Sequence, residues 1–326
     1  MCIRPRGSSQ ATAFASCRSV IEILDPGRHT SVQDAGRPGY ERFGIPPGGV
    51  ADWFSAAVAN RLVGNDPAAA LFEAAGAGPT IRFLIPATIA VAGASVLPMT
   101  GLSAPTFSWT SRVMPGGSLL NLGPIGPGLR SYVAVRGGLD VASVLGSRSL
   151  CASGAFGGGF GRSVNKNDRI DVGTMVRDEA VATSWPEGHR LPLKGPWEVR
   201  VIAGPHTDAF PADALTRLEA TACLITPAVD RMGLRIATPG LHLRGDEILT
   251  TPMTAGALQV TPSGQLIALL VDHPTTGGYP VIATVITADI PLLAQARPGE
   301  TIRFRQVDRP TAASALRRLT DWLDDL

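Results

Sequence analysis

Glycine and proline interrupt this sequence from one end to the other, 37 of the first and 27 of the second in 326 residues. Residues that end helices and open turns at this frequency leave room for short strands and little room for a helical bundle. The expected fold is mainly β with a few helices. The length allows two domains, or one large one, with ample core.

Hydrophobic patterning fills in the elements. Residues 20–24 alternate as a strand and run into the turn Asp25-Pro26-Gly27. Residues 30–40 read as a polar loop. The clearest helix of the first half spans residues 51–63, where Phe54, Val58 and Leu62 recur every fourth position and Gly64 stops the run. Short strands follow at 80–85, 88–92, 132–136 and 169–172. Residues 183–196 read as a proline-containing linker. Beyond it, strands are expected at 197–203, 257–260, 266–272, 281–286 and 301–305, and helices at 211–220 and 310–326. Thr80-Ile81-Arg82-Phe83 recurs as Thr301-Ile302-Arg303-Phe304, an echo that fits two β-barrel-like halves. The division expected is a leader at 1–19, a β-rich first domain at 20–182, a barrel at 197–309 and a terminal helix.

Charge and motifs exclude several classes. A net charge of +2, with no basic cluster interleaved with aromatics, gives no footprint for nucleic acid. No apolar run approaches the roughly 18 residues that cross a bilayer. The four cysteines show neither CxxC nor Cys/His metal spacing, so a reduced, cytoplasmic protein with inert thiols is expected. Residues 1–19 lack acids and carry Arg4, Arg6 and Arg18; the expectation is a misplaced gene start, with the protein beginning at Val20. Phosphate-loop, dinucleotide-fingerprint and nucleophile-elbow motifs are missing. Lys166 and Lys194 are the only lysines, and neither lies in a biotin-carrying sequence.

The most chemical stretch follows the apolar run 266–271. Asp272-His273-Pro274-Thr275-Thr276-Gly277-Gly278-Tyr279-Pro280 crowds a carboxylate, an imidazole, two hydroxyls and a phenol at a strand end. Asp272 is the candidate general base or metal ligand, with Thr275, Thr276 and Tyr279 beside it. A plain Thr-Gly-Gly hairpin is the competing reading. Gln33, Asp34 and Arg37 offer an amide, a carboxylate and a guanidinium within five positions. Arg37 could grip a carboxylate or phosphate, or pair with Asp34 to hold the loop. His206 and Asp208 precede a helix start and could flank an anion, or Asp208 could cap the helix. Asp230, Arg231 and Arg235 could bind an anion or form an internal salt-bridge network.

Taken together, residues 24–27, 30–40, 44–52, 59–65, 133–139, 204–210, 230–234 and 275–280 resemble the allophanate hydrolase subunit 2 family. This family is also described as biotin-dependent carboxyltransferase-like, and it includes the C component of the bacterial 5-oxoprolinase. The resemblance implies cyclophilin-like β-barrel character and one subunit of a hetero-oligomeric, ATP-dependent amidohydrolase. Such an enzyme opens 5-oxoproline to glutamate. A subunit 1 homologue, the B component of the oxoprolinase, activates the lactam with ATP and Mg²⁺, and a homologue of its A component completes hydrolysis. Asp34, Arg37, Asp230, Arg231, Asp272 and Thr276 would line the site. A carboxyltransferase component of urea carboxylase type, taking CO₂ from a partner's carboxybiotin, is the first alternative. A regulatory subunit paired with a kinase-inhibitor homologue is the second. The chain departs from the family pattern twice: it has His273-Pro274-Thr275 where relatives commonly read Arg-Gln-Thr, and Val281 where a basic residue often follows Tyr-Pro.

Overall fold

The computed structural model describes residues 21–94, 108–173, 184–238, 240–243 and 248–325. The leader expected at 1–19 lies outside them, as do Cys2 and Cys17.

The first half holds two five-stranded sheets packed face to face. One joins Ile21–Asp25 to Thr80–Phe83 and Arg169–Val172, with Leu119–Asn121 and Leu139–Asp140 at its edges. The other runs in the order His29–Gln33, Leu71–Ala75, Arg130–Val135, Ala87–Gly93, Thr110–Met114. Between them sits an apolar layer that includes Ile21, Ile23, Phe72, Phe83, Val91 and Val133. Both sheets are open, so the barrel form expected of both halves is found only in the second. There Trp197–Ala203, Val281–Val285, Ala257–Val260, Leu266–Leu269, Gly233–Ala237, Cys223–Val229 and Thr301–Gln306 close a seven-stranded barrel around its own core. The repeated Thr-Ile-Arg-Phe segment has the same burial in both halves, with Ile and Phe inward. Its setting differs: antiparallel between two strands in the sandwich, parallel to Trp197–Ala203 in the barrel.

A shared core joins the halves. The helix Trp53–Leu62 lies across the outer face of the second sheet, and Phe54, Val58 and Leu62 point into that contact as their spacing predicts. The terminal helix Arg309–Asp324 adds Ala315, Leu319 and Leu323 to the same cluster, and Ile286 and Ala288 enter it from the barrel side.

Two sequence expectations change. Residues 30–33, read as the start of a polar loop, belong to the strand His29–Gln33, paired residue for residue with Leu71–Ala75. Its own composition carries no alternation, and pairing with a strongly apolar neighbour overrides that. Residues 184–196, read as part of a linker, are packed. Trp185 is buried with its backbone N–H on the Trp109 carbonyl, and Leu191 and Leu193 lean on the shared core. Among the described residues no helix is long and apolar enough to cross a membrane.

Asp289, buried beside the barrel wall, accepts the backbone N–H of Arg200 at 2.7 Å and two guanidinium N–H at 2.9 and 2.6 Å. Removing the acid strands a partly buried cation. Asp289→Ala is therefore expected to lose about 3–5 kcal/mol, read as a lower urea midpoint at unchanged slope.

Candidate functional site

Backbone pairing at the end of the barrel sets the site. Cys223–Val229 and Gly233–Ala237 form a hairpin with Asp230, Arg231 and Met232 at its tip. The adjacent strand end is tied to that tip, Leu270 N–H donating to the Met232 carbonyl and Asp272 N–H to the Arg231 carbonyl at 3.0 Å. Arg231 and Asp272 therefore emerge side by side. The Arg231 Nε donates to one Asp272 oxygen at 2.8 Å and Nη2 to the other at 3.1 Å, a bidentate pair.

The same guanidinium reaches into the first half. Nη1 donates to Glu73 and Nη2 to the carbonyl of Gly49. Glu73 stands on the sandwich strand Leu71–Ala75 and also accepts from the Ala51 N–H at 2.7 Å and the Tyr132 hydroxyl at 3.0 Å. The Arg130 guanidinium lies 3.7 Å away. Burial alone would raise the Glu73 pKa, but the Arg231 and Arg130 cations with the Ala51 N–H outweigh it and hold the carboxylate below its ordinary range. For Arg231, burial works against the charge, and Glu73 and Asp272 more than restore it, so its pKa is raised.

Behind this pair lies a second acid. Asp52 caps the helix Trp53–Leu62, accepting the Ser55 N–H at 2.9 Å and its hydroxyl at 2.6 Å. The Gln295 amide donates to it at 2.7 Å, and the Asp52 N–H donates to the Tyr132 oxygen. Burial pushes the Asp52 pKa up to about 6 despite these donors. Burial, reinforced by the Glu73 and Asp52 charges, raises the Tyr132 phenol well above its ordinary range.

These groups border a cavity of about 900 Å³ between the halves. Asp230, Arg231, Asp272 and Thr275 line it, with His273, Glu73, Arg130, Arg28, His29 and Arg297. The other candidates lie off its lining. Asp34 holds a loop junction, accepting from the Gly36 N–H, the Ser147 and Ser149 hydroxyls and the Arg148 N–H. Four donors leave its carboxylate little capacity for a ligand, and it does not pair with Arg37. Gly36 and Gly49 let this loop interlock with residues 47–50: a Cβ on Gly36 would meet the Pro47 carbonyl oxygen at 2.6 Å, and one on Gly49 the Ala35 carbon at 2.9 Å.

Arg37 is buried just behind the cavity, its guanidinium over the Phe156 ring and Nη2 on the Ser149 carbonyl. A Cβ on Gly48 would sit 3.4 Å from Arg37 Nη1 and 3.6 Å from Asp272 Oδ1, so the two groups are near neighbours. Gln33 is buried, donating to Ser31. His206 accepts the Val281 N–H at 3.2 Å through Nδ1, which ties a turn to the barrel. Asp208 lies in the short turn Thr207–Ala209, and the next helix starts at Ala214, so it caps nothing there. Thr276 pairs in a two-stranded ribbon with Pro252, and Tyr279 is exposed.

Glu73, Asp52 and Gln295 escape the sequence reading because each sits in an apolar stretch, Leu71-Phe72-Glu73-Ala74-Ala75 being the plainest case. An acid inside such a run is itself a signal, since buried acids are rare unless paired.

A charged cavity at the seam of a mainly β, two-part protein marks the candidate ligand site. The family model described as carboxyltransferase domain, subdomain A and B, matches residues 43–306, and the chain belongs to this family. It is 34% identical over 297 residues to the C component of 5-oxoprolinase from Escherichia coli, covering 91% of this chain and 94% of that protein. The crystal structure of the K. lactis urea amidolyase superposes with a TM-score of 0.86 at 28% identity, over 96% of this chain and 20% of that one. That of TTHA0988 gives 0.78 at 34% identity, over 88% of this chain and 56% of that one. The chain thus spans nearly all of the bacterial relative and only part of the two solved structures.

Two measurements follow from this geometry. A double-mutant cycle of Glu73→Gln with Arg231→Met is expected to show coupling of about 1–3 kcal/mol in unfolding free energy; additive effects would mean that the clasp holds nothing. The folded pKa of Asp52 is raised, so between pH 4 and about 6 the native state binds the extra proton and stability falls as pH rises. Asp52→Asn is expected to remove this decline, at most about 3 kcal/mol, from a stability–pH profile. Glu73, with its lowered pKa, acts with the opposite sign, so the difference between wild type and variant isolates Asp52.

Proposed function

We propose that the chain is one subunit of an enzyme acting on a small amide or lactam, in the manner of the 5-oxoprolinase C component. The carrying observation is the Arg231 clasp in the seam cavity, within a chain that resembles that component over nine-tenths of both lengths. Four donated hydrogen bonds fix the guanidinium plane, leaving one Nη1 N–H for a ligand. An amide oxygen that gains negative charge as its carbonyl is attacked or activated would be stabilised by this held cation. Asp272, aligned by Arg231, is the acceptor for a proton released beside it. A lactam is a poor electrophile, and phosphorylating its oxygen creates a leaving group; ATP and Mg²⁺ enter this reading with a subunit 1 partner, the counterpart of the oxoprolinase B component. A homologue of the A component would complete the hydrolysis.

The donor set of this chain alone does not suit a metal ion. Asp272 faces Arg231, Glu73 is bound by several donors, and Asp230 caps two backbone N–H. Among the described residues no group of three His, Cys, Asp or Glu side chains could hold one. No step proposed for this chain runs through Mg²⁺. The two cysteines described, Cys151 and Cys223, are free and buried, and burial raises the Cys223 thiol to about 11. Unreactive thiols suit a cytoplasmic location.

The family description favours a second reading, a carboxyltransferase that takes CO₂ from carboxybiotin on a partner. With the lysines limited to Lys166 and Lys194, biotin would ride on the partner. Coexpression with the subunit 1 homologue from the same genome separates the two. The expected result is 5-oxoproline-dependent ATP hydrolysis, with Asp272→Asn lowering kcat/KM by about a hundredfold. A stable complex without 5-oxoproline-dependent ATP hydrolysis would overturn the first reading, and transfer of the carboxyl group from added carboxybiotin to urea would establish the second.

A further inference from the structure

The cavity pairs its charges at the inner end, and over its whole lining four arginines stand against three acids, Glu73, Asp230 and Asp272. At the inner end Arg231 and Arg130 face Glu73 and Asp272. On the rim, Arg28 leads into the strand His29–Gln33, and Arg297 follows the helix Ile290–Gln295. Among the described residues neither guanidinium has an ion pair or hydrogen bond. The nearby acids bond to other donors and none pairs with either guanidinium: Asp230, also in the lining, accepts the Met232 and Gly233 backbone N–H. Glu300 accepts the Trp197 indole N–H at 2.6 Å and the backbone N–H of Arg297 at 2.9 Å, while Asp25 accepts the Gly27 N–H at 2.9 Å.

Both arginines lean on one strip of backbone. The Gly76 N–H donates to the Leu129 carbonyl, and the Ile125 N–H to the Gly76 carbonyl. A Cβ on Gly76 would lie 3.3 Å from Arg28 Cδ, and one on Gly126 only 2.6 Å from Arg297 Nη1. Any side chain at 126 would push Arg297 from its seat. Two unpaired cations held against one wall of a cavity repel each other unless an anion joins them.

We propose that Arg28 and Arg297 form a carboxylate subsite, so that the cavity takes a small ligand with an amide at the Arg231 end and a carboxylate at the rim. The planar fork of arginine suits a carboxylate. The inference rests on the lactam reading above and adds a specificity rule to it: 5-oxoproline carries the anion, and urea does not. Arg28 is exposed and Arg297 half-buried, and both are unpaired, so replacing them leaves the fold intact.

Calorimetric titration of the chain with three five-membered rings tests this: 5-oxoproline, 2-pyrrolidinone (lactam without carboxylate) and cyclopentanecarboxylate (carboxylate without lactam). Both carboxylates are expected to bind wild type and to weaken at least about tenfold in Arg28→Met/Arg297→Met, with 2-pyrrolidinone unaffected. Arg28→Lys/Arg297→Lys, which keeps the charge without the fork, is expected to fall between. Carboxylates that bind the Met variant as tightly as wild type, or that fail to bind wild type at all, would overturn the subsite. Cyclopentanecarboxylate binding through the arginines, in a chain whose partnered complex shows no 5-oxoproline-dependent ATP hydrolysis, would leave the subsite standing and remove the lactam reading.

Discussion

One guanidinium holds this architecture to its purpose. Arg231 rises from a barrel hairpin, and its partners come from three places: Asp272 from the next barrel strand, Glu73 from the sandwich, and the Gly49 carbonyl from the turn before the first helix. Apolar packing could join the halves in many relative positions. A planar group bound on several edges accepts few of them, so the charge network selects the register in which the cavity exists. A buried ion pair of this kind adds little net stability over apolar packing, yet breaking it is expensive. Specific placement is the reason consistent with both facts.

The network continues inward through groups that never meet the cavity. Tyr132 donates to Glu73 and accepts from the Asp52 N–H, and Gln295 bridges Asp52 to the Arg130 backbone. Through these contacts the helix Trp53–Leu62 is positioned against the same acid that aims Arg231. Asp52 shows the cost of the arrangement: its charge is disfavoured by burial even with three donors in place. A shift in that helix would reach Arg231 through one tyrosine and one glutamate.

The sequence shows much of the frame and less of the site, for physical reasons. Strands with clear alternation or β-branched runs, such as Trp197–Ala203 and Ala257–Val260, stand where periodicity puts them, because their signal is local. His29–Gln33 is legible only through its partner strand, and Trp185 only through the core that buries it. Of the site, the Asp230-Arg231 and Asp272 segments are visible as polar groups at strand ends. Glu73 and Arg130 are not, since what gives them meaning is contact across the halves. Asp34 and Arg37 stand out in the sequence for their chemistry; in the fold Asp34 fastens a loop and Arg37 lies behind Gly48.

The two departures from the family pattern have unequal reach. Val281 is buried in a small cluster with Ala257 and Leu269, and its N–H is bound by His206. An apolar residue there packs the barrel wall, away from the lining of the cavity. His273 does border the cavity, yet it is buried, with Nδ1 on the adjacent Pro274 carbonyl. A ring tethered to its neighbouring carbonyl reaches less far into the seam than the arginine of the family pattern would. The cations on the rim come from elsewhere, Arg28 from the sandwich and Arg297 from the segment after the barrel's last helix. The electrostatic character of the cavity therefore does not follow from its most recognisable motif. It is set by the sum of charges that both halves bring to the seam, and a substrate assigned from the Asp272 loop alone would miss half of them.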